Sequence, residues 1–143
     1  TAAGDRAVRQ AGLMADGDVL IEELKAADAV VLAMPIYNFG PPAALKAWAD
    51  LVARSGVTFH YTATGPKGAL KDRPVYAIVT SGGLPIGADA DHATPWLRRF
   101  LGFVGIADVR IIKAERLVAG GEAAAEAARH ALDTALPAAQ APA

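Results

Sequence analysis

The apolar residues Ala29-Val30-Val31-Leu32-Ala33 run without a polar break into Met34-Pro35-Ile36-Tyr37-Asn38-Phe39-Gly40-Pro41-Pro42. A short apolar, β-branched run of this kind predicts a strand at about 28–34 that is buried on both faces, as a parallel sheet requires. The residues behind it form a loop and not a hairpin, because the two prolines fix the chain for entry into a helix. That helix is expected at about 42–54, with Leu45, Trp48, Leu51 and Val52 recurring at helical spacing and Ser55-Gly56 closing it. Ligands of parallel sheets bind at the carboxyl ends of strands, and here that position holds an aromatic, an amide, a second aromatic and a glycine. A flat aromatic ligand suits such a loop.

Two more apolar β-branched runs follow, Pro74-Val75-Tyr76-Ala77-Ile78-Val79-Thr80 and a third at about 107–114 with Val109, Ile111 and Ile112. Between them a helix at about 92–104 carries Trp96, Leu97, Phe100, Leu101 and Val104 on one side and ends at Gly105. An opening helix is expected over 5–26, or over a shorter stretch starting near 18, since Gly12 and Gly17 weaken its first half. A last helix is expected over 121–136, stopped by Pro137, and the Ala/Pro tail 137–143 is expected to be mobile. Residues 57–73 read as one long connection, a length that compact domains seldom carry without a use for it. The alternation of helix and strand predicts a single α/β domain over 1–136, an open parallel sheet of three adjacent strands with helices on both faces.

Composition narrows the functions open to the chain. Its 143 residues are 53% apolar, enough for one core, and its formal net charge of −1 argues against a nucleic-acid or anionic-membrane surface. Arg98-Arg99 and Lys71-Asp72-Arg73 are the basic clusters, and both read as solvated faces. The chain has no cysteine, so disulfides, thiolate metal sites and a cysteine nucleophile are all excluded. No apolar run approaches the roughly 20 residues of a membrane-spanning helix, and the expectation is a soluble, cytoplasmic protein.

Chemistry from side chains alone finds little support. Ser81 has Gly83 two positions after it but Val79 two before, which is not the pattern of a nucleophile elbow. His60, His92 and His130 form no pair at metal-ligating spacing. Thr80-Ser81-Gly82-Gly83 ends the second strand as Ile36-Tyr37-Asn38-Phe39 ends the first, and its two glycines would let backbone N–H groups approach a planar ligand. The competing expectation is an ordinary glycine turn, with Tyr37 and Phe39 as core or staple aromatics and Asn38 as a turn former.

The segment Pro35-Ile36-Tyr37-Asn38-Phe39, the stretch Leu51-Val52-Ala53-Arg54-Ser55-Gly56-Val57-Thr58-Phe59 and Phe100-Leu101-Gly102-Phe103-Val104-Gly105-Ile106 together resemble the FMN-dependent NADH:azoreductases and quinone reductases of flavodoxin-like fold. The resemblance implies that Ile36, Tyr37, Asn38 and Phe39 wrap the flavin, with the Asn38 N–H near its hydride-accepting N5. It implies a second set of ring contacts from Thr80, Ser81, Gly82 and Gly83, and a substrate pocket shaped by Tyr61 and Phe103. In Ser81 the chain departs from a more polar or basic residue common at that place, which puts a side-chain contact there in doubt. Implied too are NADH or NADPH as donor, a quinone or azo compound as acceptor, ping-pong kinetics, and a homodimer whose pocket the partner subunit helps to build. A flavodoxin-like FMN carrier that passes electrons without turning over nicotinamide is the alternative, because the fold alone does not choose.

A complete flavodoxin-like sheet has strand order 2-1-3-4-5, so the three strands here correspond to its third, fourth and fifth. The first two strands, and the phosphate-binding loop after the first, are expected to lie in roughly 60 further amino-terminal residues. Without them the chain is expected to fold poorly, with an apolar strand edge left unpaired.

Overall fold

The computed structural model describes residues 8–135. Residues 5–7 of the expected first helix, Leu136 of the last and the tail 137–143 lie outside the described residues. The elements run in the order α1 (Val8–Ala26), β1 (Val30–Pro35), α2 (Ala43–Val52), β2 (Phe59–Thr62), β3 (Gly65–Gly68), β4 (Val75–Thr80), α3 (Ala93–Val104), β5 (Val109–Ala114) and α4 (Leu117–Ala135).

The three apolar runs form one parallel sheet in the order β1-β4-β5, as the alternation predicted. Val30 pairs with Val75 and Val75 with Val109, and the register holds to Pro35, Thr80 and Ala114 at the far ends. In-register parallel pairing puts paired residues on the same face. Val75, Ala77 and Val79 therefore meet Leu97, Leu101 and Val104 of α3 and Ile21 and Leu24 of α1 in one buried core, with Leu45 and Trp48 of α2 packed against it. The opposite face is covered by α4, which packs on β5 and reaches β4.

Only β4 is buried on both faces; β1 is not. Val31 is 60% exposed, and β1 has a pairing partner on one side alone among the described residues. The apolar run was a sound sign of a strand, but burial on both faces needs a neighbour on each side and a helix over each face, and α4 packs chiefly on β5, at the other side of the sheet. A groove of about 260 Å³, lined by Leu20, Leu24, Val30, Leu32 and Trp48, runs along this open side.

Several helix and loop expectations need correction. The first helix is the longer alternative, and Gly17 serves it: a Cβ there would stand 2.5 Å from the Arg54 guanidinium. Arg54 is buried between α1 and α2 and pairs with Asp18. The last helix starts at Leu117, and Gly121, where it was expected to begin, is instead a break with φ 53 and ψ −135.

The connection 57–73 holds an antiparallel hairpin, β2 with β3, in which Phe59 pairs with Gly68 and Thr62 with Gly65. Gly65-Pro66-Lys67-Gly68 has the composition of a turn, yet it stays extended because a two-stranded ribbon leaves one edge where Pro66 needs no N–H. Backbone contact holds the hairpin down. A Cβ at Gly68 would lie 2.2 Å from the Gly105 nitrogen, so these two glycines let the hairpin rest directly on the end of α3, where Leu70 N–H donates to the Val104 carbonyl. α3 ends at Gly105 as expected, and Gly105 closes it in the left-handed region with φ 110.

The basic clusters are not simply solvated faces. Arg73 is buried and its guanidinium donates to the carbonyls of Leu24, Lys25 and Ala27, which end α1, and to Lys71. Those carbonyls have no partner inside the helix, so a fork of N–H donors is what they lack. Arg98 likewise donates to the Val109 carbonyl at 2.8 Å.

Candidate functional site

Register places two loops side by side. Pro35 and Thr80 are paired at the carboxyl ends of β1 and β4, and one further bond, Ile36 N–H to the Thr80 carbonyl at 2.8 Å, carries the pairing into the loops. Residues 36–39 and 80–83 consequently leave the sheet as neighbours. The sequence expected both to line one site, and the sheet brings these eight residues together.

The first loop is a tight turn. Tyr37 and Gly40 exchange hydrogen bonds of 3.1 and 3.0 Å, and between them Asn38 and Phe39 have φ 48 and φ 69. Positive φ at both central residues is the type I′ pattern, easily adopted by asparagine and costly for a bulky side chain. Tyr37 is 62% and Phe39 56% exposed, so neither is the core aromatic of the competing expectation. Asn38 does act as a turn former. The Phe39 carbonyl accepts from His92 N–H at 2.9 Å, which ties the turn to the start of α3.

In the second loop Ser81 faces inward. It is buried, its hydroxyl donates to the Leu84 carbonyl, and its N–H donates to Ala114 at 3.1 Å. Ser81 therefore shapes the loop and offers neither hydroxyl nor N–H to a ligand. Gly82 and Gly83 are exposed, and the space a Cβ would take at Gly83 is open. Leu117 and Val118 of α4 donate to the Ser81 and Gly82 carbonyls at 3.1 and 3.3 Å, fixing which way the peptide planes face.

Four backbone donors are left over. Among the described residues, no acceptor meets the N–H of Asn38, Phe39, Gly82 or Gly83. All four residues are exposed, so these N–H groups are open to solvent or to a ligand, and beside the exposed rings of Tyr37 and Phe39 they could serve a planar ligand with acceptors along its edge. An isoalloxazine ring has that chemistry, and the residues present fit it.

Tyr61 and Phe103 lie elsewhere. Phe103 is half-buried near the end of α3 and packs on Phe59 at 4.4 Å, while Phe59 meets Tyr61 at 5.6 Å. With His92 beside the Phe39 turn, Phe103 stands roughly 16 Å further along the α3 axis at 1.5 Å per residue. Within one chain these two aromatics do not join the strand-end loops. For Phe103 the packing role holds; Tyr61 is 74% exposed on the hairpin.

One residue next to the His92 contact was not singled out by the sequence patterns. Asp91 is 2% exposed, and its carboxylate accepts from Gly87 N–H, Ala93 N–H, Thr94 N–H and the Thr94 hydroxyl. Burial pushes its carboxyl up, but these hydrogen bonds, led by the Thr94 hydroxyl, outweigh burial and hold it below the ordinary aspartate value. An aspartate just ahead of a helix whose third residue is Pro95 is a recognisable capping pattern that would have found it. No group of acidic or histidine side chains among the described residues could hold a metal ion, and no described helix is long and apolar enough to cross a membrane.

Known proteins agree with this architecture. The family model described as "Flavodoxin-like fold" matches residues 2–136. An FMN-dependent NADH:quinone oxidoreductase of Erythrobacter litoralis is 55% identical over 108 residues, which are 76% of this chain and 55% of that protein. FMN-dependent NADH:quinone oxidoreductase 1 of Jannaschia sp. is 48% identical over 129 residues, 90% of this chain and 68% of its own. Among solved structures, an FMN-dependent NADH-azoreductase of Bacillus anthracis in complex with FMN superposes with a TM-score of 0.75 at 26% identity, covering 92% of this chain and 68% of that one. The chain thus spans little more than half the length of the first of these relatives and about two thirds of the second. By the match along nearly its whole length, the chain belongs to the flavodoxin-like fold family, in the branch that holds the FMN-dependent NADH:quinone oxidoreductases.

Proposed function

We propose that this chain carries the ring-binding part of an FMN site and serves in NADH-dependent reduction of quinones, with azo compounds as further acceptors. The observation that carries the proposal is the set of four unpartnered N–H groups, on Asn38, Phe39, Gly82 and Gly83, beside the exposed rings of Tyr37 and Phe39. The chemistry FMN supplies when bound is acceptance of hydride from a reduced nicotinamide and its delivery to the acceptor, which no side chain here can perform.

The protein's part is to bind, orient and polarise. The Asn38 and Phe39 N–H groups would meet one acceptor edge of the ring, and those of Gly82 and Gly83 another, where fixed donors favour negative charge that grows on reduction. Tyr37 and Phe39 would cover apolar surface and exclude water. Donor and acceptor using one pocket in turn would give ping-pong kinetics.

Tyr61 and Phe103 enter through the partner subunit. Since they stand away from their own chain's loops, their substrate-shaping role requires a homodimer in which one chain's hairpin covers the other chain's site. A specific observation also favours the second reading, an FMN carrier: in a single chain the two loops are open and nothing from 57–73 covers them. Oligomeric state therefore separates the two.

The test is NADH oxidation by the full-length protein with a quinone acceptor, alongside FMN uptake read from visible absorbance and mass from light scattering. Acceptor-dependent oxidation by a dimer is the expected result. FMN uptake by a monomer without such oxidation would establish the carrier; failure to take up FMN would remove both.

A further inference from the structure

We propose that Asp91 is a positioning residue for the Asn38–Phe39 turn, holding the turn in its ligand-ready shape through the His92 N–H. The proposal rests on the flavin reading of that turn, but it begins from a connected set of hydrogen bonds.

The turn is strained. Phe39 at φ 69 is a bulky residue in the left-handed region, a conformation that persists only where surrounding contacts impose it. Inside the turn, Tyr37 and Gly40 bond to each other. From outside, its central residues receive one backbone hydrogen bond among the described residues, His92 N–H to the Phe39 carbonyl at 2.9 Å. Where that donor points thus bears on whether the Phe39 peptide can rotate away.

The His92 amide plane begins at the Asp91 carbonyl carbon, so the conformation of Asp91 aims it. Asp91 has almost no freedom. Oδ1 accepts from Ala93 N–H and Thr94 N–H at 2.9 and 3.0 Å, which fixes it to the first turn of α3. Oδ2 accepts from the Thr94 hydroxyl of α3 and from Gly87 N–H at 2.9 Å, and the second of these bonds fixes it to the preceding loop. The loop in turn is pinned to the end of β5: Ile86 N–H donates to Glu115 at 2.6 Å, and Lys113 donates to the Ile86 carbonyl at 2.8 Å. A continuous path therefore runs from β5 through Ile86, Gly87 and Asp91 to the Phe39 carbonyl. A helix cap would need no bond to Gly87; that bond, made by Oδ2 in addition to its bond with Thr94, closes the path.

Asparagine at this position keeps the size and one carbonyl oxygen, but its NH₂ would face the Gly87 N–H, donor against donor. The cap survives and the link to the loop does not. In the apoprotein of Asp91→Asn, amide hydrogen exchange of peptides spanning 37–40 should quicken about tenfold while β4 stays protected, the equivalent of about 1.4 kcal/mol. In the full-length protein the FMN Kd should rise by a similar factor. Arg73→Lys, which loosens the opposite end of the sheet, is the comparison for general destabilisation and should leave both readouts unchanged.

Unchanged exchange over 37–40 in Asp91→Asn overturns the proposal. So does faster exchange with an unaltered FMN Kd, since the turn's shape would then not matter to the ligand, and so does an equal response in Arg73→Lys. Should Asp91→Asn not fold, Asp91→Ser keeps a capping oxygen without reach to Gly87, and the same outcomes apply to it. Wild-type protein that takes up no FMN would sink the flavin reading alone, and loosening of 37–40 in the variant would still establish the path.

Discussion

Ile36 N–H donates to the Thr80 carbonyl at 2.8 Å, one step past the last paired residues of β1 and β4. That bond converts sheet register into the spacing of two loops. Since strands in a parallel sheet lie about 4.8 Å apart, the loops begin at the separation of adjacent strands, and a ring of two or three fused cycles can touch both.

Gly83 gives the most economical test of that site. Its φ is not in the left-handed region and its Cβ position is open, so Gly83→Ala should fold with stability within about 0.5 kcal/mol of wild type. If a flat ligand lies against the loop, the added methyl meets it, and FMN affinity should fall about tenfold or more, measured by titration of flavin fluorescence. Normal FMN affinity in Gly83→Ala would place the ring away from this loop.

Sheet order, helix faces and both loops were legible in the sequence because each rests on local pattern: three β-branched runs, apolar residues at helical spacing, glycine at Gly105. What escaped rests on contacts distant along the chain. Gly17 reads as a weak point in a helix until Arg54, buried beside it, needs the room. Gly65-Pro66-Lys67-Gly68 reads as part of a long connection until Gly68 lies against Gly105. Arg73 reads as surface charge until α1 ends over it. For the candidate site, the motif gave the loop residues, yet Tyr61 and Phe103 were grouped with them by resemblance and not by distance. Asp91 was legible only as a helix cap, since its bond to Gly87 N–H in the preceding loop leaves no trace in residue identity.

The Gly68–Gly105 contact predicts a sharp stability loss. A Cβ at Gly68 would come within 2.2 to 2.5 Å of three backbone atoms of Val104 and Gly105, none of which can turn aside. Gly68→Ala should therefore cost about 2–3 kcal/mol, as overpacking at a rigid contact does, and should lift the hairpin. The expected readings are a lower urea midpoint and faster amide exchange over 58–70, with β4 protected as before.

Arg73→Lys removes a fork of donors from the end of α1. A lysine ammonium is a point donor on a flexible stem and cannot serve the carbonyls of Leu24, Lys25, Ala27 and Lys71 together. Leaving the buried Leu24 carbonyl and its part-buried neighbours unmet should cost about 1–3 kcal/mol, read from the urea midpoint, without change at the strand-end loops.

Asp91 also makes stability depend on acid. Its folded-state carboxyl lies below the ordinary aspartate value, so the unfolded chain takes up a proton first as pH falls. The stabilisation is thus fully present above the unfolded value of about 3.9 and is lost as pH drops through the folded one. Chemical denaturation between pH 6 and pH 3 should show stability falling with acid, with a shallower slope in Asp91→Asn because that variant has no carboxylate to protonate. Equal slopes would mean that Asp91 titrates alike in both states.

The last prediction separates stability from function at Phe39. A phenylalanine at φ 69 pays a backbone cost of roughly 1–2 kcal/mol that glycine does not, and its half-exposed ring recovers little of it by burial. Phe39→Gly should therefore raise the urea midpoint or leave it unchanged, although a large apolar side chain has been removed. A residue kept in strain without benefit to the fold must be useful in another way, and here that use is a ring beside the unpaired N–H groups of the same turn. FMN affinity should accordingly drop in Phe39→Gly as stability holds or rises. A variant that loses stability by the 3 kcal/mol or so expected of a deleted core aromatic would show instead that Phe39 supports packing, and the strained turn would need a different explanation.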